Sequence, residues 1–152
     1  MRRTVLLFAF VFAGMLLFTE VAFAMVINCT AGAAECDGTT RADTMHGTAT
    51  DDKMLGNGGN DVMYGEDGKD AVKGKVDDDT ILGDPGNDIV KGGTGRDRVK
   101  GGDGDDIVRG GTHSVTDDGS VDVLRCGPGT DDVYYTSGVD VVRGCEVKHP
   151  SG

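Results

Sequence analysis

The chain has 152 residues, a formal net charge of −11, 26 glycines, four cysteines and no tryptophan. A balance this acidic argues against nucleic acid and anionic membranes as partners and points to cations instead. Of its 26 acidic residues 22 are Asp, the short carboxylate that tight turns accommodate best.

Residues 1–24 read as a secretory signal peptide: Arg2 and Arg3, an apolar run from Val5 to Phe18, then Ala22-Phe23-Ala24 as a small-x-small cleavage site. The length of the run would also suit an uncleaved anchor, against which stand Glu20 and the cleavage site. Cleavage leaves Met25 first, with 13 basic against 25 acidic residues and a net charge of −12. The expected location is extracellular, with no membrane association after cleavage. Residues 25–37 follow as an N-terminal cap holding Cys29 and Cys36, too short for a catalytic domain.

From Gly38 to Arg109, nine residues repeat eight times without insertion or deletion. Glycine opens every unit, from Gly38 and Gly47 to Gly92 and Gly101. Aspartate holds the sixth place as Asp43, Asp52, Asp61, Asp70, Asp79, Asp88, Asp97 and Asp106. The eighth place is always apolar, from Met45 and Met54 through Ile81 to Val108. A disordered acidic tail has no reason to keep an apolar residue at every ninth position, so the period argues for order despite the composition. One inward side chain per unit fits a short strand at place eight, where neighbours alternate faces and place nine is free to be His46, Tyr64 or Lys91. No helical periodicity competes with this.

The clearest copies, Gly92-Gly93-Thr94-Gly95-Arg96-Asp97-Arg98-Val99-Lys100 and the unit after it, resemble the RTX, or hemolysin-type, calcium-binding nonapeptide. The resemblance implies an all-β fold, a right-handed parallel β-roll (β-solenoid) with two repeats per turn and unit stacking on unit 18 residues away. It also implies several Ca2+ ions, each held between two stacked loops. The chemistry agrees, because calcium takes six to eight oxygens from carboxylates and carbonyls in irregular geometry. Glycine at places one, two and four is expected to turn carbonyls toward one point by adopting positive φ. Burial of eight side chains falls far short of the backbone entropy of ordering the array, so the metal is expected to decide whether it folds.

Stacking two units apart ranks the ligands. Asp70, Asp88 and Asp106 come first, since their loops keep the place-four glycines Gly68, Gly86 and Gly104. Asp61, Asp79 and Asp97 form a weaker column, because Asp77 replaces the central place-four glycine. Arg41 and Thr50 replace it at the start, so Asp43 and Asp52 read equally as metal ligands or as solvated residues of capping turns.

Beyond Arg109, residues 110–125 take 16 positions where nine would do, with an insertion from His113 to Asp118. The period returns in residues 126–152, first as Cys126 to Tyr134 with Asp131 in sixth place, a further candidate ligand, and Val133 in eighth. Tyr135 to Arg143 follows with Asp140 and Val142, and Gly144 opens a last partial unit. Counting back from Gly38 puts Cys29 at a first place and Cys36 at an eighth, where a disulfide would close the N-terminal cap. Four cysteines allow three pairings, and sequence alone leaves this one open. With stacked units two apart, Cys126 and Cys145 fall within disulfide reach and are expected to clamp the C-terminus.

No EF-hand loop, P-loop, nucleophile-elbow serine or zinc-binding helix is present. His46, His113 and His149 share no spacing, and a lone His113 in a polar loop is an ordinary solvated residue. The expectation is a secreted, non-enzymatic calcium-binding protein that folds on its ions, with calcium-dependent adhesion to a cell surface or polysaccharide as the alternative.

Overall fold

The structure is a computed structural model describing residues 24–111, 119–137 and 139–151. The signal-peptide segment up to residue 23 and the insertion around His113 lie outside the described residues.

Fourteen strands are described. They are β1 (Met25–Asn28), β2 (Cys36–Asp37), β3 (Asp43–His46), β4 (Lys53–Asn57), β5 (Val62–Tyr64), β6 (Ala71–Val76) and β7 (Thr80–Pro85). They continue as β8 (Ile89–Thr94), β9 (Arg98–Asp103), β10 (Ile107–Gly111), β11 (Val123–Arg125), β12 (Asp132–Thr136), β13 (Val141–Arg143) and β14 (Val147–Ser151). Odd strands form one seven-stranded sheet and even strands another, each wholly parallel and in sequence order. The chain therefore alternates between sheets with every unit, and two units make one turn of an all-β solenoid, as the resemblance implies.

Register fixes the core. Met45 pairs with Met63, Met63 with Ile81, and Ile81 with Val99 on one sheet. Met54, Val72, Val90 and Val108 do the same on the other. These place-eight side chains are at most 1% exposed and meet between the sheets, while places seven and nine face outward. The period already runs before Gly38, since Ile27 pairs with Met45 and Cys36 with Met54.

After β10 the partners are 25 rather than 18 residues apart: Val99 pairs with Leu124 and Val108 with Val133. The register returns to 18 between β11 and β13. The last turn is shorter than the repeat, since Val133 pairs with Lys148, 15 residues on. Lys148 is exposed, so the apolar column of that sheet ends at Val133.

Both ends are closed covalently. Cys29 and Cys36 form a disulfide with Cα atoms 5.6 Å apart, and Cys126 and Cys145 another at 5.1 Å. These are the two expected bridges, and no cysteine is free. Cys126 is buried and seals the core at the C-terminal end. Among the described residues no helix is long and apolar enough to cross a membrane.

Candidate metal centre

The place-six aspartates run in two buried columns beside the core, all from Asp43 to Asp106 at most 6% exposed. Each backbone N–H in a column donates to Oδ1 of the aspartate one turn on. The bonds are 2.8 Å from Asp70 to Asp88, 2.9 Å from Asp88 to Asp106 and 2.9 Å from Asp106 to Asp131. The second column links Asp43, Asp61, Asp79, Asp97, Asp122 and Asp140 in the same way. Oδ1 is thus structural: it closes the loop below.

Oδ2 is different. In Asp61, Asp70, Asp79, Asp88, Asp106 and Asp131 it is buried and has no hydrogen-bond partner. A carboxylate oxygen in that position carries charge out of water with nothing to balance it. Burial accordingly pushes the carboxyls of Asp79 and Asp88 up from 3.8 to about 7, and those of Asp61, Asp70 and Asp106 to about 6. Neighbouring aspartates add to the rise, and the backbone hydrogen bonds oppose it.

Glycine at place one has a different reason from the expected one. From Gly38 to Gly110 positive φ is absent there; instead, a Cβ on Gly65 would meet Gly83 O of the next turn and lie 2.6 Å from Asp70 Oδ2, and one on Gly83 would meet Gly101 O and lie 2.5 Å from Asp88 Oδ2. The missing side chain makes room for the carboxylate and for the backbone of the next turn. Positive φ belongs to places two and four, including residues other than glycine: Asn57, Glu66, Lys75 and Asp84 at place two, between 69° and 91°. Asp77, the substituted place four, also adopts φ 75°. Its carboxylate accepts the N–H of Gly59 one turn below at 2.9 Å, which supports the loop. In these loops the carbonyls of places two and four press toward the loop above, so that a Cβ on Gly102 would meet Asp84 O and one on Gly104 would meet Gly86 O.

Three rungs are built otherwise. Asp43 Oδ2 accepts the Thr39 N–H at 2.7 Å and its hydroxyl at 2.8 Å. Asp52 Oδ2 accepts the same two groups of Thr48 at 2.6 and 2.9 Å, and Asp140 Oδ2 accepts the Thr136 N–H at 2.7 Å. Each threonine stands at place two, four residues before its aspartate, and neither Thr39 nor Thr48 has positive φ. The threonine occupies the side of the carboxylate that is bare in the central loops. Sequence reading did not single out these threonines, although the recurring T-x-x-x-D spacing at both ends was visible.

Two further features were missed. Place-five side chains form an outer ladder running opposite to the inner one: Arg96 N–H donates to Asp78 Oδ1 at 2.8 Å and Thr130 N–H to Asp105 Oδ1 at 2.8 Å. The signal was the recurrent Asp or Asn at that place. Glu146 takes the sixth-place role in the short last turn, accepting the Asp131 N–H at 3.2 Å.

Among the described residues no three His, Cys, Asp or Glu side chains gather as a metal cluster. A site between two loops has at most their two sixth-place carboxylates, so backbone carbonyls must complete it. That donor set, all oxygen with bare buried carboxylate oxygens, fits a hard divalent cation and suits neither zinc nor copper. His46 and His149 lie apart, each stacked on a tyrosine and paired with a carboxylate, Glu66 and Asp132 respectively. An open groove of about 580 Å³ beside Thr48, Tyr64 and Pro85 is lined by no histidine, cysteine or serine.

A family model described as the RTX calcium-binding nonapeptide repeat (4 copies) matches residues 37–72, 64–97 and 82–112, together half of the chain. No curated protein and no solved structure matches it.

Proposed function

The chain belongs to the RTX calcium-binding nonapeptide repeat family, and we propose that it is an exported protein whose solenoid assembles as several calcium ions enter between its stacked loops. The observation that carries this is the set of buried, unpartnered Oδ2 atoms on Asp61, Asp70, Asp79, Asp88, Asp106 and Asp131. Calcium would supply the positive charge that these oxygens lack. The chain supplies the rest: Oδ1 holds loop on loop, place-one glycine admits the carboxylate, and left-handed places two and four aim carbonyls at the gap.

Loop stacking and binding are therefore one event. A loop pair cannot form a site until the 18-residue turn closes, and the closed turn buries charge until an ion arrives. Asp70, Asp88 and Asp106 form the principal column, with Asp131 extending it; Asp61, Asp79 and Asp97 form the second. Asp43 and Asp52 act as end rungs in which Thr39 and Thr48 take the place of an ion. Extracellular modules bind calcium at about 10⁻⁴ to 10⁻³ M, so the chain would be loose before export and stiff after it. The role is structural and binding, without catalysis, in keeping with the family.

Far-ultraviolet circular dichroism during a calcium titration, with magnesium as control, tests the reading. A cooperative gain of strand with calcium alone is expected. A spectrum already rich in strand in chelator and unchanged by calcium would sink it.

A further inference from the structure

The fold turns the variable ninth place into a rib along the outer face of each sheet. On one sheet His46, Tyr64, Leu82, Lys100, Arg125 and Arg143 stand on successive rungs. On the other the order is Leu55, Lys73, Lys91, Arg109, Tyr134 and His149. Each rib thus holds one leucine, three consecutive cations and a His–Tyr pair, preceded at its N-terminal end by Asn28 beside His46 on the first and by Asp37 beside Leu55 on the second. The pairs are stacked, with ring centroids 4.8 Å apart for His46–Tyr64 and 4.4 Å for Tyr134–His149. Arg109 continues the second stack, its guanidinium 4.7 Å from the Tyr134 ring centre.

Among the described residues none of the six cations is in a salt bridge. Burial lowers the Lys91 ammonium below its ordinary range, and Lys73 and Arg109 push it the same way. Such uncompensated positive charge is unexpected on a chain with a net charge of −11. Carboxylates predominate along the loop edges, where Arg41, Lys69 and Arg96 are interspersed, while three consecutive rungs in each rib are cationic.

We propose that these ribs bind a linear acidic polysaccharide carrying about one carboxylate or sulfate per sugar. Cations on consecutive rungs lie about 4.8 Å apart, a spacing on the scale of a pyranose ring. Arginine and lysine supply charge-assisted hydrogen bonds to carboxylate or sulfate. Tyrosine and histidine in line with them offer an apolar body and polar edges to a sugar. The ribs are narrow. A DNA duplex or an anionic bilayer laid across either sheet would overhang onto the loop carboxylates such as Asp78 and Asp105, which a single glycan strand avoids. The proposal rests on the calcium reading, because residues 18 apart in sequence form a rib only once the turns have stacked.

The test uses the full exported chain in excess calcium, with dextran sulfate as probe and neutral dextran and duplex DNA as controls. Two triple variants, Lys73→Gln/Lys91→Gln/Arg109→Gln and Lys100→Gln/Arg125→Gln/Arg143→Gln, each remove one rib. Each should halve the polymer bound per chain, and their combination should weaken binding at least tenfold while the calcium-induced dichroism persists. Wild-type affinity should also fall steeply with salt, as counterion release requires. Wild-type binding by the folded combined variant, equal binding of neutral dextran or duplex DNA, or affinity indifferent to salt would each overturn the proposal. Dichroism separates the two readings: calcium-induced folding without polymer binding refutes the ribs alone, and a fold indifferent to calcium refutes the metal account itself.

Discussion

Replacing Asp88 by Asn should stabilise the metal-free solenoid and weaken the calcium-bound one. Asn keeps the oxygen that accepts the Asp70 N–H at 2.8 Å and removes the charge on the bare Oδ2. With the carboxyl raised from 3.8 to about 7 by burial, its anion is disfavoured at pH 8 by up to roughly 4 kcal/mol. The new amide nitrogen is a buried donor, which costs about 1–3 kcal/mol where carbonyls do not fully satisfy it. About 1–3 kcal/mol of net stabilisation remains without metal. With calcium the sign reverses. A carboxylate between two loop pairs is lost, and the calcium midpoint should rise at least tenfold, about 1.4 kcal/mol. The assay is circular dichroism under two conditions: osmolyte-driven folding in chelator, which keeps a weakly stable fold measurable, and calcium titration without osmolyte. Equal destabilisation in both would make Asp88 only a rung of the ladder. An unchanged calcium midpoint would place the ions elsewhere.

Four further outcomes are expected. The metal-free fold should be most stable below about pH 4 and lose stability as pH rises toward 7, because the folded carboxyls of Asp61, Asp70, Asp79, Asp88 and Asp106 are raised above their unfolded 3.8 and the fold binds the extra protons; melts in chelator that grow more stable with pH would contradict this. Thr48→Gly should remove the hydroxyl bond to Asp52 Oδ2, let the freed backbone take the left-handed φ of the central loops and so turn away its N–H, and raise the calcium stoichiometry, read by isothermal titration, whereas an unchanged ion count would refute the end-rung role. Gly83→Ala should lower the melting temperature in calcium, because its Cβ would stand 2.5 Å from Asp88 Oδ2 with backbone of the next turn also in its way; a melt like wild type would show that the loop can yield. Ile81→Ala, at a fully buried central position, should cost about 2–5 kcal/mol by denaturant melts in calcium, and a loss below 1 kcal/mol would mean a loosely packed interior.

The parts legible in the sequence are those that a strict period dictates. One apolar and one acidic residue per nine fix the core column and the carboxylate column, and stacking at 18, which the resemblance implies, brings Cys126 to Cys145. What stayed hidden depends on atoms within a rung or on departures from the period. Thr48 and Lys75 both occupy place two, yet one turns its hydroxyl onto a carboxylate and the other takes a left-handed backbone. Local hydrogen bonding makes that choice, and a residue pattern does not display it. Likewise, Gly144 reads as opening a last partial unit, with nothing to show how far the register is kept. The last turn is three residues short, which brings Glu146 to the ladder and Lys148 to the place of a core residue. The two ribs were hidden for another reason: their residues are consecutive only across turns.

The longer spacing between β9 and β11 has a consequence for how such a chain can change. Pairing shifts from 18 to 25 residues there, and the aspartate ladder crosses the gap with 2.9 Å bonds from Asp97 to Asp122 and from Asp106 to Asp131. Each rung recognises the rung beside it and is indifferent to the length of chain that delivers it. Seven extra residues leave no trace in the register on either side, as a spring is unaltered by a tag tied to one coil. The segment between Gly111 and Gly119 is therefore a natural port. Peptides could be inserted there, or the chain cut and permuted, with both halves still meeting in register.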